Sequence, residues 1–217
     1  MKPFKALDLY CGSGSVSIGL KAAGFLFATG VDIKSEAKKW YPYKFVQQDV
    51  LALSVDFLKQ FDCIWASPPC QAHTSLLKGR AHNHIDLIPE TRDLLIVSGR
   101  PYVIENTPLA PLRKDLVLCG SMFNLKTIRH RIFECSFPVK AYYTCICQKY
   151  RVIRYDEDRL NPNGVYQLAG NNIGSKQDWS NALGEKRILP LQFSSQAIPP
   201  IYAQHIGEQA IKYLLSR

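Results

Sequence analysis

The sequence predicts an α/β fold, a doubly wound and mostly parallel sheet that carries a small additional subdomain. In the first half of the chain, apolar runs typical of strands alternate with segments of helical periodicity, which indicates parallel βαβ units. The chain has 217 residues and 47% of them are hydrophobic, enough to bury the core of one main domain. The last segment again has helical periodicity, so we expect a closing helix.

The predicted elements follow one another at short intervals. In chain order they are a strand in FKALDLY, a helix in SVSIGLKAAG, a strand in FLFATGVDI, a lysine-rich segment, a strand in KFVQQDV and a strand in FDCIWASPP. A helix is predicted around Pro89–Ser98 and a strand at Tyr102–Glu105. Two β-like runs follow, near Leu116–Cys119 and at Arg131–Phe137. The repeated order of strand and helix favours one sheet covered on both faces.

The composition changes after Pro138, where turn residues and charges replace periodic apolar positions. We therefore divide the chain into a main domain at 1–137, a small region at 138–189 and a closing segment at 190–217. The closing helix is predicted from Pro199 to Leu214, with prolines suited to its first turn. It should pack back on the sheet.

Charge and cysteine content limit the classes of function. A formal net charge of +9 fits a polyanionic partner such as nucleic acid, although charge alone does not identify one. The seven cysteines are an odd number and lie mostly in apolar contexts, so we expect mainly reduced, buried thiols rather than a disulfide framework. The sequence has neither a membrane-spanning apolar run nor a signal-peptide pattern, and we expect a cytoplasmic protein.

A glycine turn follows the first predicted strand, in DLYCGSGSVSIGL. Gly12 and Gly14 would let a ligand approach the backbone closely at the start of a helix. Asp32 ends the second strand and Asp49 the third, and a strand-end carboxylate can accept both hydroxyls of a ribose. Together they predict a pocket for an adenosine-containing ligand at the carboxyl edge of the sheet. The alternatives are a simple tight turn and two aspartates that only cap the following helices.

A cysteine and a glutamate follow the next two strands. Cys70 in ASPPCQAH comes after two prolines that stiffen the backbone, a better setting for a nucleophile than for a core thiol. Glu105 and Asn106 end the fifth strand, so a carboxyl group and a thiol could face one substrate. A lone cysteine is more often a small hydrophobic residue, and Glu105 could merely cap a helix before Pro108.

Two arginines lie in IRHRIFE. Residues two apart in an extended segment point the same way, so Arg129 and Arg131 could together hold a phosphate or a base edge. The alternative is an exposed basic strand edge.

Taken together, these segments resemble the motifs of the cytosine-5 DNA methyltransferase family, in the usual order. DLYCGSGSVSIGL resembles the family's Phe-x-Gly-x-Gly turn, with Tyr10 in the aromatic place. SPPCQ resembles its Pro-Cys-Gln loop, ENT its Glu-Asn-Val and RHR its Arg-x-Arg, while SQAIPP resembles the Gly-Asn-(Ala/Ser)-Val-Pro-Pro motif before the last helix. The compact length is most similar to that of short, phage-type DNA methylases, which implies a bacterial or phage-infected cell and a link to restriction and modification.

The resemblance implies a Rossmann-like, S-adenosylmethionine-dependent methyltransferase that acts on double-stranded DNA. The sequence gives no evidence of an obligate protein partner. It implies catalytic roles for Cys70, Glu105, Asn106, Arg129 and Arg131. The implied cofactor contacts are Tyr10, Gly12, Gly14, Asp32, Ile33 stacked on adenine, Asp49, Gln196 and Ala197. Ile33 has a plain alternative, because an isoleucine after a strand end is often ordinary core.

The resemblance also implies a mechanism. Cys70 would add to carbon-6 of a flipped-out cytosine while protonated Glu105 serves ring nitrogen 3, and carbon-5 would then take the methyl group. Asn106 would orient the loop backbone, and the two arginines would hold the base carbonyl and a phosphate. Residues 71–89, with Lys78, Arg80, His82 and His84, would form a mobile loop that closes over the base.

The sequence departs from the family pattern in three places. Ser195 and Gln196 replace Gly-Asn, Thr107 replaces valine, and the recognition region at 138–189 is short, so we expect a short target or relaxed specificity. The open alternatives are a methyltransferase acting on RNA or a free cytosine nucleotide, and a DNA-binding protein without activity.

A structural zinc at Cys135, Cys145 and Cys147 is a further alternative. A C-x-C pair with one distant cysteine matches no common zinc knuckle, and the sequence offers no evident fourth ligand. We therefore predict no metal site.

Overall fold

A computed structural model describes residues 3–73, 85–149, 152–153, 165–166 and 175–217 of the chain. Its strands are β1 (Lys5–Leu9), β2 (Phe27–Asp32), β3 (Lys44–Gln47), β4 (Cys63–Ala66), β5 (Tyr102–Asn106), β6 (Leu116–Leu118), β7 (Arg131–Cys135), β8 (Val152–Ile153) and β9 (Val165–Tyr166). Its α-helices are α1 (Ser15–Ala23), α2 (Val55–Leu58), α3 (Ile88–Ser98), α4 (Lys176–Leu183), α5 (Leu191–Ser194) and α6 (Pro200–Leu215). The segment from Pro138 to Ile146 has no regular element, and a 3-10 helix follows at Cys147–Lys149.

Seven strands form one mixed sheet in the order β3-β2-β1-β4-β5-β7-β6, and β8 and β9 pair separately in parallel. The five strands β1 to β5 are all parallel to one another, whereas β7 is antiparallel to both β5 and β6. The predicted doubly wound, mostly parallel α/β fold is therefore confirmed. The chain places β2 and β3 on one side of β1, and β4 and β5 on the other, so the winding direction reverses between β1 and β4.

Alternation along the strands produces a core on each face of the sheet. In β4, Cys63 and Trp65 belong to the layer beneath α1 and α6, whereas Ile64 and Ala66 belong to the layer beneath α3. This two-sided burial explains why the strands read as apolar runs rather than as alternating patterns. Each large side chain buried in these layers stabilises the fold by roughly 1.5–3 kcal/mol.

Helix α6 packs closely against α1, and glycine makes the approach possible. A Cβ atom on Gly19 would lie only 2.1 Å from the carbonyl oxygen of Pro200, and one on Gly207 would lie 2.8 Å from Cβ of Ala23. The closing segment thus returns to the first helix of the main domain. Among the described residues, no helix is both long and apolar enough to cross a bilayer.

Candidate active site

The reversal point of the sheet brings four strand ends together. Leu9 of β1 is in register with Val31 of β2 and with Ala66 of β4, and Ala66 is in turn paired with Ile104 of β5. The residues that follow these strands therefore share one edge. In open α/β sheets, this carboxyl edge at the reversal point is where ligands bind.

A cavity of about 330 Å³ lies at this edge, within the size range of small-molecule sites. Its walls carry most of the residues that the sequence singled out: Tyr10, Gly12, Asp32, Ile33, Asp49, Cys70, Glu105, Asn106, Arg131, Gln196 and Ala197. Gly14 and Arg129 are the two predicted site residues that are not among its lining residues. Phe193, Ser195 and Ile198 close it from the C-terminal segment.

The glycine turn has a backbone that only certain residues tolerate. Tyr10, Gly12 and Gly14 all have positive φ, at 58°, 48° and 82°. At Gly14 a Cβ atom would also lie 2.7 Å from the ring of Tyr41, so a side chain is excluded for two reasons. The hydroxyl of Tyr10 lies 2.8 Å from Oγ1 of Thr91, which fixes the aromatic ring at the cavity wall.

Asp32 and Asp49 both hold backbone groups as well as lining the cavity. The two oxygens of Asp32 accept hydrogen bonds from the backbone N–H groups of Gly12 and Lys34, each at 2.9 Å. Asp49 accepts one from Leu51 at 3.0 Å and caps a short 3-10 helix. Both aspartates therefore accept hydrogen bonds from the backbone at the start of the following segment, as a cap does. Asp32 in addition holds the glycine turn against the end of β2.

Ile33 is not a core residue. Its side chain is 61% exposed and lies at the cavity wall next to Asp32. An exposed isoleucine at a cavity wall offers an apolar surface for van der Waals contact with a bound planar group. Its stacking on adenine stays a prediction.

The Cys70 loop is held by Asn106. The side-chain amide of Asn106 donates to the carbonyl oxygen of Pro68 at 3.0 Å, and its oxygen accepts from the backbone N–H of Thr107 at 2.8 Å. The hydroxyl of Thr107 donates to the carbonyl of His73 at 3.2 Å. The last residue of β5 and the residue after it thus hold the loop on both sides of Cys70. Residues 74–84 of the predicted mobile loop, including Lys78, Arg80, His82 and His84, lie outside the described residues.

Glu105 and Arg131 form an ion pair beside Cys70. The Nε atom of Arg131 lies 2.9 Å from Oε1 of Glu105, and both side chains are largely buried. Because β7 runs antiparallel to β5, it begins at the edge where β5 ends, which places Arg131 beside Glu105. Burial raises the pKa of Glu105 above its usual value, while the neighbouring Arg131 opposes that shift. Burial likewise raises the pKa of Cys70, again against Arg131.

Arg129 does not line the cavity but lies close enough to Cys70 and Glu105 to lower the pKa of both groups. It comes before strand β7, which begins at Arg131. Arg129 is 6% exposed, and its guanidinium donates to the carbonyl of Ser195 at 2.6 Å. Burial lowers its pKa to about 9. This side chain links the Arg-x-Arg segment to the SQAIPP segment.

The N-terminal part of the chain matches a known protein family. The family model described as C-5 cytosine-specific DNA methylase matches residues 4–95. The match, called here the methylase segment, covers less than half of the chain. It includes the glycine turn, Asp32, Asp49 and Cys70, whereas Glu105 and Arg131 lie beyond it. A search of curated protein sequences found no significant match.

Solved structures share the fold of the methylase segment and of the remainder of the chain. A protein of an E. coli prophage, described as a DNA modification methyltransferase, is 15% identical with a TM-score of 0.69, covering 99% of this chain and 100% of that one. The S. pombe Dnmt2 methyltransferase is 12% identical with a TM-score of 0.68, covering 97% and 99%. The Entamoeba histolytica methyltransferase EhMeth is 13% identical with a TM-score of 0.63, covering 99% of each chain. These likenesses show a methyltransferase fold.

Sequence reasoning missed two residues that support the methylase segment. Glu185 and Arg187 form a bidentate ion pair at 2.7 Å and 3.0 Å. Arg187 also donates to the carbonyls of Ser13 and Trp40, and Glu185 accepts from Ser15 at 2.8 Å. The two residues therefore fasten the glycine turn. They lie within the region predicted to read the target, and no motif in GEKRIL indicated this contact.

The cysteines are mainly reduced, buried thiols, as expected. All seven are free, and only Cys70, Cys145 and Cys147 are not buried. Cys145 and Cys147 lie together, but Cys135 is buried in the core and lies outside their group. The combination considered from the sequence is therefore not the one that the fold brings together.

Proposed function

We propose that this chain is a DNA (cytosine-5-)-methyltransferase that transfers a methyl group from S-adenosylmethionine to carbon-5 of a flipped-out cytosine. The supporting observation is that Cys70, Glu105 and Arg131 line the same cavity as Asp32 and Ile33. The proposed nucleophile and acid therefore line the same cavity as the residues proposed to bind a nucleoside. The family model that matches residues 4–95 supports this class of chemistry.

The cavity residues fit S-adenosylmethionine. Asp32 keeps lone pairs on both oxygens beyond its two backbone hydrogen bonds, so it can accept from ribose hydroxyls. Ile33 offers an apolar face to adenine, and Gly12 has open space where a Cβ would stand. When bound, the cofactor supplies an electrophilic methyl group. Gln196 and Ala197 would close the same pocket from the C-terminal segment.

Cys70 would act as the nucleophile on the cytosine ring. Addition of its thiolate to carbon-6 makes carbon-5 an enamine carbon, which is nucleophilic enough to take a methyl group. Since burial raises the pKa of Cys70, its ionisation depends on the nearby positive charge of Arg131. Loss of the carbon-5 proton to a base then breaks the bond to carbon-6, releases the Cys70 thiolate and restores the ring.

Glu105 would supply the proton that this addition needs. Its raised pKa favours the protonated form, which can donate to ring nitrogen 3 as negative charge develops there. Arg131 would keep the carboxyl group oriented and bind the base carbonyl with its remaining N–H groups. Asn106 would keep the Cys70 loop in place through the Pro68 carbonyl.

Duplex DNA is the substrate that we favour. The net charge of +9 fits a polyanion, and the prophage protein of similar fold is described as a DNA modification methyltransferase. Cytosine inside a duplex must leave the stack before Cys70 can reach it, which costs a few kcal/mol. An RNA or free-nucleotide substrate would use the same chemistry and is the second candidate.

Trapping with 5-fluorocytosine tests the proposal without knowledge of the target. A duplex library carrying 5-fluorocytosine in place of cytosine is incubated with the protein and S-adenosylmethionine. Fluorine replaces the proton whose loss releases Cys70, so the complex should survive denaturation and digestion should map it to Cys70. Cys70→Ser should give none, while the matched control Cys63→Ala should trap as the wild type does. Trapping on RNA instead of duplex DNA would select the second candidate.

Target choice is proposed to lie within the region at 138–189. Because Glu185 and Arg187 hold the glycine turn, a useful exchange replaces only residues 150–174 and keeps 175–189. Methylation mapped at base resolution should then move to the target of the donor enzyme. An exchanged protein that still methylates the original sites would show that target choice lies elsewhere.

A further inference from the structure

Four potential metal ligands converge outside the proposed active site. The side chains of Cys119, His130, Cys145 and Cys147 bring one ligand atom each into a group whose members all lie within 4.8 Å of one another. They come from three separate parts of the chain: the residue after β6, the residue before β7, and the segment that follows Pro138. Only the fold places them together. Within the described part of the chain, the sulfur atoms form no disulfide.

The spacings within the group fit a tetrahedral ion. Nε2 of His130 lies 3.6 Å from Sγ of Cys145 and 3.7 Å from Sγ of Cys147. Around one Zn²⁺ bound at about 2.3 Å to sulfur and about 2.0–2.1 Å to nitrogen, a sulfur and a nitrogen lie about 3.6 Å apart. Two sulfurs lie about 3.8 Å apart in the same geometry. The sulfurs of Cys145 and Cys147 are 3.2 Å apart, and no two ligand atoms of the group are more than 4.8 Å apart. Each distance is therefore within about 1 Å of the one expected around a bound ion.

The surroundings also suit bound thiolates. The hydroxyl of Ser121 lies 3.4 Å from the sulfurs of both Cys119 and Cys145. It also accepts a hydrogen bond at 3.2 Å from the backbone N–H of Ile146, between the last two cysteines. Hydrogen-bonding groups next to metal-bound sulfur orient the ligands and tune the site. Cys119 is fully buried and Cys145 is exposed, so the group extends from the core to the surface.

We propose that Cys119, His130, Cys145 and Cys147 bind one structural Zn²⁺ through three thiolates and one imidazole. That combination is an established donor set for structural zinc, and soft sulfur ligands favour it over Mg²⁺ or Ca²⁺. Four protein ligands leave no open position, so the ion has no part in methyl transfer. This inference does not depend on the proposed function.

The ion would fasten the segment after β7 to the sheet edge. Residues 138–146 contain no regular element, and near their start Lys140 is held by His205 and Gln209 of α6. Ligation through Cys145 and Cys147 would hold their far end. His130 lies between Arg129 and Arg131, and its carbonyl accepts a hydrogen bond from Arg131 at 2.9 Å. The site would thereby also steady the strand end that carries Arg131.

Metal content of the full chain tests this proposal directly. The protein is purified without an affinity tag, under reducing conditions, from cells grown with added zinc. Gel filtration in a buffer with EDTA then removes weakly bound metal. Elemental analysis should find about one zinc per chain. Replacing zinc by Co²⁺ should give the visible bands and the thiolate charge-transfer band of tetrahedral sulfur coordination. Absence of zinc together with absence of a tetrahedral cobalt spectrum would overturn the proposal.

Variants separate ligation from general loss of folding. His130→Ala and Cys147→Ala should lose most of the metal, whereas His130→Cys should retain it, because a fourth thiolate replaces the imidazole. Cys135→Ala is the matched control, because Cys135 is buried nearby but lies outside the group, and it should keep the full zinc content. Equal zinc in the wild type, His130→Ala and Cys147→Ala would contradict the assignment. So would a Cys145–Cys147 disulfide in protein purified under reducing conditions.

Discussion

The guanidinium of Arg131 lies 2.9 Å from the carboxylate of Glu105, and both groups are largely buried at the cavity that also contains Cys70. The pairing has two opposed electrostatic effects. Burial favours the neutral carboxylic acid, and the arginine favours the carboxylate, with the net shift of the Glu105 pKa upward. The pKa of this proposed proton donor is therefore set by the balance between burial and the charge of Arg131.

Glu105→Gln tests this role. Glutamine keeps the shape of the side chain and can still accept a hydrogen bond from Arg131, but it has no acidic proton. Methylation should slow by roughly 10²–10⁴-fold, the range for a lost general acid, while duplex DNA binding stays near the wild-type value. Single-turnover methyl transfer and a salt-controlled binding titration measure the two quantities. Wild-type methylation by this variant would remove Glu105 from the mechanism.

Asp32→Asn should weaken cofactor binding. The change removes the negative charge that can accept ribose hydroxyls and weakens the hold on the Gly12 backbone. A hydrogen bond to a charged group is worth about 1.5–3 kcal/mol, so the affinity for S-adenosylhomocysteine should fall about tenfold or more. Calorimetric titration measures it, with exposed Asp56→Asn as the matched control. Undiminished binding would show that Asp32 serves only as a cap.

Ile33→Ala distinguishes a binding contact from a structural one. Because the side chain is 61% exposed, its truncation should change the free energy of unfolding by no more than about 0.5 kcal/mol. If Ile33 stacks on adenine, the same variant should still lose several-fold in cofactor affinity. Denaturant unfolding and calorimetry provide the two values. A large loss of stability with normal affinity would assign Ile33 to the core instead.

Arg187→Met should destabilise the glycine turn, which Arg187 contacts although it lies far away along the chain. The substitution removes the donors to the Ser13 and Trp40 carbonyls and leaves buried Glu185 without its ion-pair partner. Leaving such groups unpaired costs about 1–3 kcal/mol, more where a charge is involved, and cofactor affinity should fall with it. Arg113→Met is the control, because its ion pair with Asp115 is largely exposed and should contribute less than about 1 kcal/mol. Equal effects of both variants on cofactor affinity would contradict a specific role for Arg187.

Asp8 should make the stability depend on pH. It is buried under α1, where Ser17 donates to it at 2.7 Å, and burial raises its pKa to about 8. The unfolded chain ionises this group near pH 4, whereas the folded protein keeps its proton until about pH 8. The folded state therefore binds more protons in this window, and its stability falls as the pH rises from 4 to 8.

Asp8→Asn removes that contribution. As the pH rises from 5 to 8, the wild type should lose unfolding free energy that Asp8→Asn does not lose. The variant should therefore become more stable relative to the wild type. Each unit of pKa difference corresponds to about 1.4 kcal/mol, so a change above that value is expected. Thermal or urea unfolding at several pH values measures it. Parallel stability curves for the two proteins would mean that Asp8 is not neutral in the folded state.

The sequence determined the fold class and the outline of the proposed site. Strand runs separated by a glycine turn, a helix and acidic strand ends predict a parallel sheet, and its geometry places the ends of β1, β2, β4 and β5 at one edge. These are local patterns of a few residues each. The positions of Asp32, Cys70 and Glu105 at the cavity follow from them.

Only the tertiary structure decided which residues from distant segments meet. Arg129 is buried and donates to the carbonyl of Ser195, 66 residues away along the chain. Glu185 and Arg187 reached the glycine turn across most of the chain length, and Cys119 and His130 joined Cys145 and Cys147 through the antiparallel course of β6 and β7. Such contacts depend on chain crossings and side-chain direction, which have no period and no local motif in the sequence.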